Sequence, residues 1–180
     1  MKGTIFVELV KMAENAFGEE VVDEVLSKAD LENDGAFTTV GNYPCTELVK
    51  IVVAFSEHSG ISGDKLQRMF GHWMMDHFVE NYEEFFVGMT DSFSLLEAVD
   101  GEIHVEVKKL YPDAELPVFD TERLKDDQMK LTYTSPRPLV EFCHGMVEAC
   151  LERYSQTAEI ERCPVAHQEN ATVFDIKLNQ

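Results

Sequence analysis

The chain has 180 residues, with 15 Lys or Arg against 34 Asp or Glu, a formal charge of −19 at pH 7. So acidic a chain offers no basic face for nucleic acid or for an anionic membrane surface. Apolar residues at 44% are enough for a sizeable core, and the length suits one domain, residues 1–180, with at most an appended subdomain. The longest strongly apolar stretch, around Ile51–Phe55, is far too short for a membrane-spanning helix. Glu8 and Lys11 interrupt the apolar run that a signal peptide requires. Cys45, Cys143, Cys150 and Cys163 are few and irregularly spaced, which points to a reduced, cytoplasmic protein.

The first part of the chain, to about residue 112, reads as helices. Ile5, Leu9, Met12, Ala13 and Ala16 recur at helical spacing before Gly18. Val21, Val22, Val25 and Leu26 mark a second, short helix. Asn33-Asp34-Gly35 and Asn42-Tyr43-Pro44 read as turns. Thr46 is placed to cap a helix running to about His58, and Ser62 or Asp64 to begin one carrying Leu66, Met69, Phe70, Trp73, Met74, His77 and Phe78. Ser94–Tyr111 reads as one more helix, its stripe Leu96, Val99, Ile103, Val107 and Leu110, ended by Pro112.

The period then changes. Val118–Leu124 and Met129–Ser135 flank Asp126-Asp127 as a hairpin, with Met129, Leu131, Tyr133 and Ser135 on one face. A helix follows through Leu139, Phe142, Cys143, Met146, Val147, Cys150, Leu151 and Tyr154. Ala158–Cys163 and Ala171–Leu178 close the sequence as strands. The expected class is α+β: an N-terminal helical part, then a four-stranded antiparallel sheet in residues 113–180 with one inserted helix.

Tyr133-Thr134-Ser135-Pro136-Arg137 carries two hydroxyls and a guanidinium at alternating positions of an extended segment, a set that suits a carboxylate. On spacing alone, an ordinary half-exposed strand explains these residues better. His104 lies beside its helix's apolar stripe, one turn after Gly101. It could ligate haem iron through Nε2, although a lone histidine more often hydrogen-bonds a neighbour and binds nothing. Cys163-x3-His167, with Cys143, His144 and Cys150, could supply a zinc site, but no CxxC pair is present. The nucleophile, phosphate-loop and metalloprotease motifs are missing. Glu19-Glu20 and Glu83-Glu84 are most simply solvated faces.

The order and spacing of these parts resemble the haem-nitric oxide/oxygen binding (H-NOX) family, stand-alone bacterial type, related to the haem domain of soluble guanylate cyclase. The resemblance spans the chain. Met1-Lys2-Gly3 runs into an apolar helix, His104 is followed by Tyr111-Pro112, Pro117 comes thirteen residues after the histidine, and Tyr133-x-Ser135-x-Arg137 follows. It implies haem between helices and sheet. His104 would then be the iron ligand, Tyr133, Ser135 and Arg137 the propionate site, and Pro117 the residue that presses on and distorts the porphyrin. Haem b would be held noncovalently, since there is no CxxCH.

The resemblance also places Ile5, Leu9, Met74, Phe78, Phe142 and Met146 on the distal side. Phe142 stands where oxygen-binding members carry a tyrosine. All six are apolar, so nothing would stabilise the negative charge on bound dioxygen, and NO and CO are the expected ligands. NO trans to His104 would weaken or break the Fe–His bond and shift the helices against the sheet. A chain this size would signal through a separate histidine kinase or cyclic-di-GMP enzyme. The family cysteine of a C-terminal zinc site falls near Val140, so no zinc is carried over. Two other readings stay open. One is a peroxidase-like or NO-consuming haem enzyme, for which His77 or His144 would have to turn inward. The other is a zinc-clipped interaction domain.

Overall fold

The computed structural model describes residues 1–179. Helix α1 (Gly3–Phe17) buries Phe6, Leu9, Met12 and Ala13 along one stripe and ends at Gly18, whose φ of 86° suits glycine alone. Its first residue lies so close to the carbonyl of Thr38 that no side chain fits at Gly3. Helix α2 (Glu19–Lys28) buries Val22, Val25 and Leu26. Asn33-Asp34-Gly35 forms the expected turn. Asn42 does not: it bridges Lys2 as a scrap of antiparallel strand, because the loop must return along the start of α1.

Helix α3 (Cys45–Ser59) starts two residues earlier than a Thr46 cap would allow, with Pro44 at the cap position. Proline pre-sets φ at the helix entry, so no capping hydroxyl is required. Helix α4 (Gly63–Asn81) is capped by the Ser62 side chain, which accepts from the Lys65 amide.

The helix expected over Ser94–Tyr111 is three pieces. Helix α5 (Ser92–Ala98) opens on an Asp91–Ser94 capping box. A π-helical turn (Val99–Ile103) follows, closed by the His104 amide bonding the carbonyl of Val99. Helix α6 (His104–Leu110) then runs to Tyr111. Asp100-Gly101 are weak helix formers, and Asp100 spends its carboxylate on tertiary contacts. The extra residue rotates everything downstream by about 100°. The expected stripe therefore fails past the turn: Leu96 is buried, while Leu110 is 61% exposed.

Strands β1 (Val118–Lys125), β2 (Gln128–Thr134), β3 (Ala158–Val165) and β4 (Gln168–Leu178) form one antiparallel sheet in the order β1-β2-β4-β3. Helix α7 (Val140–Arg153) is inserted between β2 and β3 and covers one sheet face. There Met129, Leu131, Phe174 and Ile176 pack with Cys143, Val147 and Cys150. A separate apolar cluster holds α1–α4 together around Phe6, Ile51, Phe70 and Met74.

The clusters meet where α4 crosses α7. The crossing is backbone on backbone: a Cβ at Gly145 would collide with the carbonyl of Arg68, and one at Gly71 with that of Phe142. Arg68 ties the seam, donating to Glu141 at 2.8 Å, Glu148 at 3.2 Å and His144 Nδ1 at 3.0 Å. A second tie joins α1 to α4: buried Glu8 accepts from Lys11 and from the Trp73 indole. Among the described residues no helix is long and apolar enough to cross a membrane.

Candidate functional site

His104 is the first residue of α6, set there by the π turn. Its Nδ1 lies 3.3 Å from Asp100 Oδ1, one helical turn back. A carboxylate accepts only, so Nδ1 carries the proton and Nε2 keeps the lone pair, as a metal ligand requires. Burial pulls the imidazole pKa below its usual value, and the Asp100 contact pulls it back up. The net lowering favours the neutral ring that coordinates metal. The same Asp100 oxygen accepts from the Phe119 amide at 3.3 Å. The His104 ring lies 5.7 Å from that of Phe119, which lies 5.5 Å from that of Tyr133. Aromatic contacts thus run without a gap from the histidine to the hydroxyl-bearing strand.

Tyr133 and Ser135 are both buried, Tyr133 near the end of β2 and Ser135 just past it. Burial pushes the Tyr133 phenol pKa up to about 12, so it stays a donor throughout the physiological range. Arg137 joins them, but not by strand alternation. The strand ends at Thr134, and the chain bends through Pro136 so that the Arg137 amide donates to Ser135 Oγ at 3.2 Å. The guanidinium then reaches Glu115, Nη1 to the carbonyl at 2.7 Å and Nη2 to Oε2 at 2.9 Å. Pro117, half-buried, sits between that anchor and the start of β1.

The apolar positions come from both clusters. Leu9 and Met74 are buried in the first, Ile5, Phe78 and Phe142 pack half-buried against it, and Met146 packs half-buried against the second. Phe142 lies 5.1 Å from Phe70, ring to ring. These residues suit an iron porphyrin with two acid tails. They supply a neutral imidazole with Nε2 available, a buried phenol and hydroxyl, a guanidinium with donors to spare, and apolar side chains.

Sequence reasoning missed Asp100 and Glu115. Asp100 had a signal, its i, i+4 spacing to His104 on a helix. Glu115 had none, since it meets Arg137 only through the fold.

The histidines that an enzyme would need are engaged elsewhere: His77 Nδ1 is 3.4 Å from Glu8, and His144 is buried between Arg68 and Glu148. The zinc inventory is dispersed, with Cys143 and Cys150 buried in the core and Cys163 exposed. Among the described residues no three His, Cys, Asp or Glu stand together as a metal site.

Residues 2–162 match the haem-NO-binding family. The chain belongs to that family. Solved H-NOX structures agree with it over 98–100% of its length. The H-NOX protein of Shewanella woodyi, in solution with IWP-051 in the Fe(II)CO state, is 38% identical with a TM-score of 0.84, over 98% of this chain and 94% of that one. The Fe(II) unliganded H-NOX protein of K. algicida is 29% identical with a TM-score of 0.91, over 100% and 97%. The Fe(II)NO H-NOX protein of S. oneidensis is 25% identical with a TM-score of 0.90, over 100% of both chains. A search of curated proteins found no match. The α+β class and the helices-then-sheet order of the H-NOX fold are those read from the sequence.

Proposed function

We propose that this H-NOX chain is a haem-based nitric oxide sensor acting in the cytoplasm on a separate signalling partner. The observation that carries the reading is His104, neutral, with Nδ1 held by Asp100 and Nε2 left to ligate. Haem b, bound noncovalently, would supply an iron that takes NO or CO opposite His104 and whose bond to the histidine NO weakens. Tyr133, Ser135 and Arg137 would hold the propionates, with Arg137 exchanging part of its contact with exposed Glu115 for the ligand. Pro117 would press on the porphyrin. Ile5, Leu9, Met74, Phe78, Phe142 and Met146 would line the gas side without a hydrogen-bond donor, which disfavours bound dioxygen. CO- and NO-ligated relatives support the choice of gases.

Signalling needs a two-state element. His104, Pro117 and the Tyr133 strand belong with the sheet, whereas most of the gas-side residues belong with the N-terminal helices. Releasing His104 would let these helices shift against the sheet. The partner would be a histidine kinase or a cyclic-di-GMP enzyme, its encounter steered by the −19 charge if it presents a basic patch.

The test is the absorption spectrum of the reduced protein, before and after NO and in air. The ferrous protein should change with NO and with CO and form no persistent oxy species. A stable oxy spectrum overturns the gas selectivity; a colourless protein after haem reconstitution overturns the whole reading.

A further inference from the structure

We infer that Asp100 is a positioning residue for the haem ligand: its carboxylate fixes the His104 tautomer and sets the strength of the iron–histidine bond. The inference rests on the haem-sensor reading and names a residue through which this chain tunes it. Three observations converge. The π turn Val99–Ile103 breaks a segment that would otherwise run as one helix, and it does so directly before the ligand. That interruption carries the carboxylate, whose Oδ1 lies 3.3 Å from His104 Nδ1. The same oxygen takes the Phe119 amide at 3.3 Å, two residues past Pro117, and Phe119 flanks the imidazole with its own ring.

The carboxylate is thus held from two sides and cannot swing away from the ring without giving up a backbone hydrogen bond. An unconstrained neutral imidazole prefers its proton on Nε2, the wrong nitrogen for this role. Asp100 reverses that preference and, as an anion, makes the ring a stronger donor to iron. A sensor whose output is release of the histidine has its threshold set by that donor strength. Removing the charge should weaken the bond and make NO release it more readily.

The test separates charge from mere support. Asp100→Asn keeps an acceptor oxygen for both N–H groups but loses the charge; Asp100→Ala loses both. Glu102→Gln, on the exposed side of the same turn, removes an equal charge without touching the ring.

In the haem-free protein, nitrogen NMR should show the His104 proton on Nδ1 in the wild type and on Nε2 in Asp100→Ala. In the ferrous unliganded protein, the iron–histidine stretching band should move to lower frequency in Asp100→Asn and further in Asp100→Ala. Haem should leave Asp100→Ala about 10-fold faster or more. Glu102→Gln should match the wild type throughout.

A wild-type proton on Nε2, an unmoved band in Asp100→Asn, or an equal shift in Glu102→Gln overturns the inference. Failure of the underlying reading looks different. In that case the reconstituted wild type gives no iron–histidine band, or His104→Ala keeps it, whatever tautomer the haem-free protein shows.

Discussion

Arg137 shows how one residue's chemistry depends on where the chain turns. Its amide meets the Ser135 hydroxyl because the backbone bends at Pro136, and its guanidinium is held by Glu115. A charge-assisted hydrogen bond contributes about 1.5–3 kcal/mol. Arg137→Ala should therefore weaken haem binding about 10- to 100-fold, measured by haem transfer to a competing apoprotein. On the proposed gas side, Phe142→Tyr would add a hydrogen-bond donor to a set of apolar side chains. If this set governs gas selectivity, the variant should gain a measurable oxy complex by stopped-flow absorption in air.

His144 makes a prediction about acid. Its Nδ1 accepts from Arg68, so its Nε2–H faces Glu148 at 3.4 Å. Burial and the Arg68 charge hold its pKa below the usual 6.5. The unfolded chain therefore binds the extra proton first as pH falls. Stability should drop as pH passes below about 6.5, until the folded ring titrates too. His104 adds to the same slope in the haem-free protein. His144→Gln should flatten the dependence of thermal midpoint on pH between 7 and 5; an unchanged slope contradicts this assignment.

At the scale of elements, the α4–α7 crossing joins helices from the two clusters, and it depends on the absence of side chains. A methyl at Gly145 meets the Arg68 carbonyl, which belongs to a helix and cannot move alone. Overpacking of this kind costs about 1–3 kcal/mol. Gly145→Ala should lower the urea midpoint accordingly, with the slope unchanged. The segment from Ser92 to Leu110 teaches the opposite lesson. Its apolar period supports a single helix, yet the π turn rotates the second half out of register and sets His104 beside Phe119.

For the whole molecule, two apolar clusters share the seam between α4 and α7 and divide the proposed haem contacts between them. A ligand that binds only the folded state stabilises it by mass action, about 2.7 kcal/mol at a hundredfold excess over Kd. Haem loading should raise the thermal midpoint of the wild type and fail to do so in His104→Ala. Equal stabilisation of both would detach haem from His104.

The sequence by itself determined the class and order of elements. Apolar period changes from helical to alternating near residue 113, and Gly18, Ser62 and Pro112 punctuate the chain through local backbone chemistry. It also contained the His104, Pro117 and Tyr133-x-Ser135-x-Arg137 series by which the family is recognisable. Only the tertiary structure decided which groups hold those residues in place. Asp100 was legible in principle, as a carboxylate one turn from the histidine, but a helical pair on paper does not say that the same oxygen also binds the Phe119 amide. Glu115 was not legible at all, because it lies 22 residues from Arg137. Local propensities extend over a few residues, whereas a contact between distant segments is set by how the whole chain packs.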